Sequence, residues 1–184
     1  MKKFLRIYWL ESIILFFSFI IKITGINYGL PYSYHTEEYK IVNYALKFGT
    51  GDFNPRFFEY PSLYLYFIFF IYGIIFVIGK VLDFYKSVSD FALLYFRNPT
   101  IFYLSGRIIS SIFGTLSVLI LYFIVKKIYD RKTAIISMLL FSVVPSVVVS
   151  CKIVRIEMAL IFTSLVFFCF FLKTFYDRED KDSN

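Results

Sequence analysis

The chain has one histidine and two cysteines. A lone imidazole gives no His pair for a zinc site. His35 followed by Glu37 and Glu38 is a weak donor set for any other metal. Cys169 lies deep in an apolar run, so a disulfide to Cys151 is not expected, and neither thiol reports a redox compartment. There is no Walker loop, nucleotide-binding glycine string or nucleophile elbow, so no soluble-nucleotide chemistry is indicated. Charged residues make up only 18% and sit in short clusters between apolar blocks. The net charge of +7 therefore forms no basic stripe on a polar domain, and no nucleic-acid partner is expected. Low-complexity segments and internal repeats are also missing.

What the chain has in abundance is apolar surface. Hydrophobic residues are 59% and aromatic residues 23% of the sequence, far above a soluble domain, which marks an all-α membrane protein. The start, "MKKFLRIYWLESIILFFSFIIKITG", is basic and then apolar. It is interrupted by Glu11 and Lys22 and lacks a small-x-small cleavage site, so it reads as an uncleaved first span. Apolar blocks long enough to cross a bilayer fall at about 8–26, 62–80, 101–125, 133–150 and 156–176. No block is broken in the way a transporter's substrate site requires. The tail "YDREDKDSN" reads as polar and frayed.

Residues 27–61 differ from the blocks. They are aromatic, polar and punctuated by Gly29, Pro31, Gly49, Gly51, Pro55 and Pro61, which reads as a structured loop. Within it, Ile41, Tyr44, Ala45 and Phe48 recur at helical spacing, with Glu38 and Lys47 off that face. The pattern predicts an amphipathic helix over 37–48 on the membrane surface, with Thr36 as N-cap and Gly49 as C-terminal stop.

Charge then orders the spans. If all five blocks cross, Glu37 and the joint at 150–157 fall on opposite sides; if 62–80 is interfacial, the preferred reading, four spans remain, at 8–26, 101–125, 133–150 and 156–176. The N-terminus, "KKIYDRK" at 126–132 and the tail share one side. That side carries Lys2, Lys3, Arg6, Lys126, Lys127, Arg131 and Lys132, as the positive-inside rule requires. The outer loop 27–100, with interfacial helices at about 37–48 and 62–80, faces the other side with the joint "SCKIVRIE" at 150–157. The outer segment also carries Lys40, Lys47, Arg56, Lys80, Lys86 and Arg97, but the rule is weak over long loops.

Three constellations could carry chemistry. Glu37 and Glu38 suit the first turn of a helix by its dipole alone. At the edge of a membrane cavity, among Tyr28, Tyr32, Tyr34, Tyr39 and Tyr44, such a carboxylate could also act as a general base. Lys152, Arg155 and Glu157 join two apolar blocks. A carboxylate at the entrance of an apolar helix needs a partner or a task, and Arg155 could pair with it or clamp a phosphate. Arg107, inside "YLSGRIISSIFG", is expected to pair with an acid of the outer loop. In "GDFNPRFFEYPSLYLY", the aromatics suit an interfacial belt, but a belt does not explain two prolines bracketing Arg56 and Glu59.

The order "INYGLPYSYHTEE", "GDFNPRFFEYPSLYLY" and "YLSGRIISSIFGTLSVLILYFIVKKIYDRKTAIISMLLFSVVPSVVVSCKIVRIEMALIF" resembles the N-terminal membrane module of the GT-C fold glycosyltransferases. The nearest branch is the family 39 type, the protein O-mannosyltransferases and aminoarabinose transferases. The resemblance implies a GT-C-type transmembrane module with interfacial helices in its first outer loop. It also implies a polyprenyl-phosphate-linked sugar as donor. By the same resemblance, Glu37 and Glu38 stand where the family carries its catalytic base, Glu157 matches a second acid, and Arg107 matches the arginine before the next span. Both Glu37 and Glu157 stand where aspartate is usual.

On this reading the catalytic residues are Glu37, Glu38 and Glu157. Lys152, Arg155, Arg107, Tyr60 and His35 bind substrate. No metal site is assigned, although a divalent ion in place of Lys152 and Arg155 could neutralise the leaving phosphate. The family's enzymes are longer, so a partner chain could supply further spans. The expected place is the plasma membrane, multi-pass, with the active loops extracytoplasmic and membrane lipid around them. The rival reading is a non-catalytic membrane subunit or degenerate relative that binds lipid or a partner protein.

Overall fold

The computed structural model describes residues 8–33 and 35–182, with side chains described as far as Phe175. Lys2, Lys3, Arg6 and Tyr34 lie outside the described residues. Among the described residues every regular element is a helix. These are α1 (Trp9–Ile23), α2 (Thr36–Lys47), a 3-10 turn at Phe48–Thr50, α3 (Ser62–Val81), α4 (Val88–Arg97), α5 (Thr100–Ile128), α6 (Arg131–Val143), α7 (Pro145–Cys151) and α8 (Glu157–Asp182). By length and composition α3, α5 and the stretch Glu157–Phe175 of α8 can each cross a membrane, and α6 with α7 can do so as a bent pair. The chain is an all-α membrane protein.

The bend revises the expectation of an unbroken block at 133–150. α6 and α7 meet at 59°. Val144 has ψ 120° and Pro145 opens α7. Proline has no N–H to continue the ladder, and it drives the preceding residue out of the helical region. Two further differences have local causes. α4 stands where the sequence was read as loop, and a reciprocal capping box starts it: Asp90 N–H donates to Ser87 Oγ at 3.1 Å, and Ser87 N–H donates to Asp90 Oδ2 at 3.0 Å. α8 runs on to Asp182, into the tail expected to be frayed.

The described residues divide into two units. One comprises residues 8–24, 110–152 and 157–182; the other comprises residues 25–33, 35–109 and 153–156. The first unit is built inside out, as a bilayer demands. α1 exposes Trp9, Phe16 and Phe17 and buries the stripe Glu11, Ile14, Ser18 and Lys22. Polar groups facing lipid would lack partners, so they turn inward and find them. Glu11 accepts from Arg131 Nε at 2.8 Å, from Arg131 Nη2 at 3.1 Å and from the Tyr122 hydroxyl at 2.9 Å. Ile14, Val118, Tyr122, Ala134 and Met138 pack beside this cluster.

In the second unit α2 packs on α3. Ile41, Val42, Ala45 and Phe48 of the first meet a core that includes Leu65, Ile68 and Tyr72 of the second. The proline-bracketed loop is tied down by stacking. Phe57 lies on Tyr44 with centroids 4.3 Å apart, and Tyr66 lies on Phe48 at 4.7 Å. The charges between the prolines also have partners: Arg56 pairs with Asp52 and Glu59 with Lys40, each at 2.8 Å. Glu59 holds the Lys40 ammonium above its usual range.

Removing the Glu11 carboxylate takes away the acceptor that Arg131 and the Tyr122 hydroxyl share. Arg131 is half-exposed, so Glu11→Ala should cost about 2 kcal/mol, below the roughly 3–5 kcal/mol of a fully buried pair. The unfolding midpoint in detergent reads this, and Glu11→Gln should lose less. A Glu11→Ala variant as stable as the parent would remove the network from the account.

Candidate functional site

The site grows from the loop before α2. Gly25 and Gly29 both adopt positive φ, 74° and 80°, where a side chain would be strained. The turns they make put the carbonyls of Ile26 and Tyr28 beside Arg107, whose Nη1 donates to them at 2.8 and 2.9 Å. Ser33 then leads into α2. Its N-cap is His35, without a side-chain cap bond, and not Thr36 as the sequence predicted. The helix runs into the 3-10 turn and ends at Gly51, φ 91°, two residues beyond the predicted stop at Gly49.

The buried face of α2 is Glu38, Ile41, Val42 and Ala45. This moves Glu38 from the wet side, where its charge suggested it belonged, to the position one turn before Ile41 and Val42. It is 0% exposed. Four donors converge on it: Arg107 Nε at 2.7 Å, Arg107 Nη2 at 2.8 Å, the backbone N–H of Val154 at 3.0 Å and the Ser33 hydroxyl at 3.0 Å. Arg107 is itself only 5% exposed. A carboxylate has about four acceptor positions, so this one is filled. A bidentate guanidinium is its strongest neutral-pH partner in a dry site.

Glycine at 106 makes the Val154 contact possible. A Cβ there would lie 2.6 and 2.8 Å from the Val154 methyl carbons. Only a bare backbone lets the Ile153–Ile156 segment lie against α5 at that point.

Glu37 is the next residue of α2 and lies about 100° around the helix from Glu38. It therefore faces outward. Its carboxylate pairs with Arg155 Nε at 2.7 Å, and both side chains are partly open to solvent, 35% and 26% exposed. The structure thus brings Glu37, Glu38, Arg107 and Arg155 together. It pairs Arg155 with Glu37; the sequence had offered Glu157 or a phosphate to that guanidinium.

His35 is exposed at the start of α2. Tyr60 packs edge-on against Phe57 at 5.6 Å. Lys152 caps α7 and Glu157 opens α8; both belong to the other unit. Among the described residues no group of three or more His, Cys, Asp or Glu could hold a metal ion. Ser33, Gly106 and the Val154 N–H were not found from the sequence. Gly106 had a signal, as a small residue directly before an arginine inside an apolar helix.

A family model described as dolichyl-phosphate-mannose-protein mannosyltransferase matches residues 102–182. That stretch contains Arg107, Val154, Arg155 and Glu157. No curated protein and no solved structure matches the chain.

Arg107→Ala leaves a buried carboxylate with two donors lost, and should destabilise by roughly 3–5 kcal/mol. Glu38→Leu combined with Arg107→Met should recover most of that loss, because an apolar pair needs no counter-charge. Denaturation midpoints in micelles separate the two. Gly106→Ala should lower stability by about 1–3 kcal/mol through overpacking on Val154. If all three variants match the parent, the buried pair does not organise this unit.

Proposed function

We propose that this chain carries the catalytic loops of a membrane glycosyltransferase. It transfers a sugar from a polyprenyl-phosphate donor to an acceptor hydroxyl or amine on the extracytoplasmic face, with inversion. Three findings support this reading: the all-α membrane architecture, the match of residues 102–182 to a mannosyltransferase family model, and the Glu37–Arg155 pair. The last carries it. A partly accessible carboxylate lies 2.7 Å from a guanidinium, directly beside a second carboxylate that is fully occupied.

This arrangement separates two neighbouring acids by role. Glu38, with its acceptor positions filled, holds the loop and α2 in place and is a positioning residue. Glu37 is the base. As the acceptor oxygen or nitrogen attacks the anomeric carbon from the face opposite the phosphate, its proton passes to Glu37. The bond from the anomeric carbon to the phosphate oxygen breaks, and the electron pair leaves with the polyprenyl phosphate. That leaving group needs neutralising charge more than a proton. A guanidinium offers five N–H donors in a planar fork, so Arg155 can address the base and a phosphate oxygen together. The nearby aromatic loop would give the sugar ring apolar surface.

Transfer from a labelled polyprenyl-phosphate sugar, measured with the chain in vesicles, tests the assignment. Glu37→Gln should lower the rate by about 10²-fold or more, the usual weight of a general base, with stability unchanged. Arg155→Gln should also slow transfer. Lys40→Ala, which breaks an exposed pair elsewhere on α2, should leave the rate intact. Full activity in Glu37→Gln would exclude it as the base.

A further inference from the structure

A cavity of about 510 Å³ lies between α2, α3 and α4. Its walls include Phe69, Gly73 and Phe76 of α3 and Phe91 and Phe96 of α4, with Lys47 at the end of α2. No Asp, Glu or Arg lines it, so Lys47 is its only charged wall residue among the described residues. The Lys47 ammonium is exposed and sits 4.6 Å from the Tyr44 ring centroid. A second cavity, about 590 Å³ and lined by Ile74 and Val77, shares Phe69 and Gly73 with the first. Gly73 is the gap between the two, since a Cβ there would meet nothing within 4 Å. The two cavities thus form one apolar track along α3, a helix long and apolar enough to cross a membrane.

We infer that this track holds one acyl chain of an anionic phospholipid, with the phosphate at Lys47. An empty apolar void forfeits dispersion contacts along its lining, and a flexible hydrocarbon chain restores them. The positive rim selects a negative headgroup. A single lysine is weak recognition, which suits a ligand as concentrated as bilayer lipid and not a scarce donor. The position agrees: Lys47 lies ten residues along α2 from Glu37, about 15 Å at 1.5 Å per residue. The bound lipid is therefore distinct from the proposed transfer site, and the inference stands independently of whether this chain transfers sugar. Its consequence is that α2, which carries Glu37 at one end, is anchored to the bilayer at the other.

The test is photolabelling of the full chain in phosphatidylcholine vesicles doped with phosphatidylglycerol carrying a diazirine on its acyl chain, followed by peptide mass spectrometry. Adducts should concentrate on peptides containing Phe69–Phe76 and Phe91–Phe96, above the labelling of Phe167 and Phe170, which are exposed on α8. Gly73→Leu places a side chain into open space on a helix, so it should fold and should remove the excess labelling while leaving α8 labelling unchanged. Lys47→Gln should weaken it about fivefold, the weight of one lysine at an anionic headgroup, and a phosphatidylcholine probe should be indifferent to that change. Labelling of the α3 and α4 peptides no stronger than α8, or insensitive to Gly73→Leu, would overturn the proposal. So would displacement of the phospholipid probe by an equal amount of polyprenyl phosphate, which would make the prenyl chain the occupant.

Discussion

The unit that carries the candidate site depends on one buried ion pair. Glu38 and Arg107 are almost wholly removed from solvent, and taking two charges out of water is favourable only if every lone pair and proton is matched. Here the matching draws in the rest of the loop. The carbonyls of Ile26 and Tyr28, the Ser33 hydroxyl and the Val154 N–H all close on the pair. Ile26, Tyr28 and Ser33 come from the loop before α2, while Val154 lies 116 residues beyond Glu38, and the pair gives each a fixed place. Hydrophobic burial packs α2 on α3, but burial has no direction. The charge pair supplies the direction that sets the rotation of α2 about its axis.

Fixing that rotation decides what two adjacent, chemically identical side chains can do. The 100° step of the helix sends Glu38 inward and Glu37 outward. The inward acid is saturated with donors. The outward one keeps a single identified ion-pair partner, Arg155, and an opening to solvent. The same fold thus makes one glutamate a structural anchor and leaves its neighbour partly open to solvent. At the far end of α2, Lys47 borders an apolar cavity, so the helix also links the proposed site to a lipid-sized space.

Composition revealed the membrane class because no soluble core absorbs so many aromatic and aliphatic residues. The pairing of Arg107 with an outer-loop acid was also legible, since an arginine inside an apolar helix must find a counter-charge. The face of α2 was misread at Glu38. Charge was taken to mean exposure, yet the spacing of Glu38 to Ile41, Val42 and Ala45 already put it inside. Pro145 marked the bend between α6 and α7, and the Ser87–Asp90 spacing marked α4. Both signals were local and were hidden by the strong hydropathy of the long blocks around them. The Val154 N–H had no signal, because a backbone donor looks the same in every sequence and only the fold brings it to Glu38.

The central claim is that Glu37 removes the acceptor proton. Azide tests it most directly, because it attacks an anomeric carbon without a proton to lose. With a labelled polyprenyl-phosphate sugar as donor, Glu37→Ala should transfer to azide at a rate near that of the parent while failing with a hydroxyl acceptor. If azide and hydroxyl acceptors lose rate equally in that variant, Glu37 holds the substrate or the loop and does not take the proton.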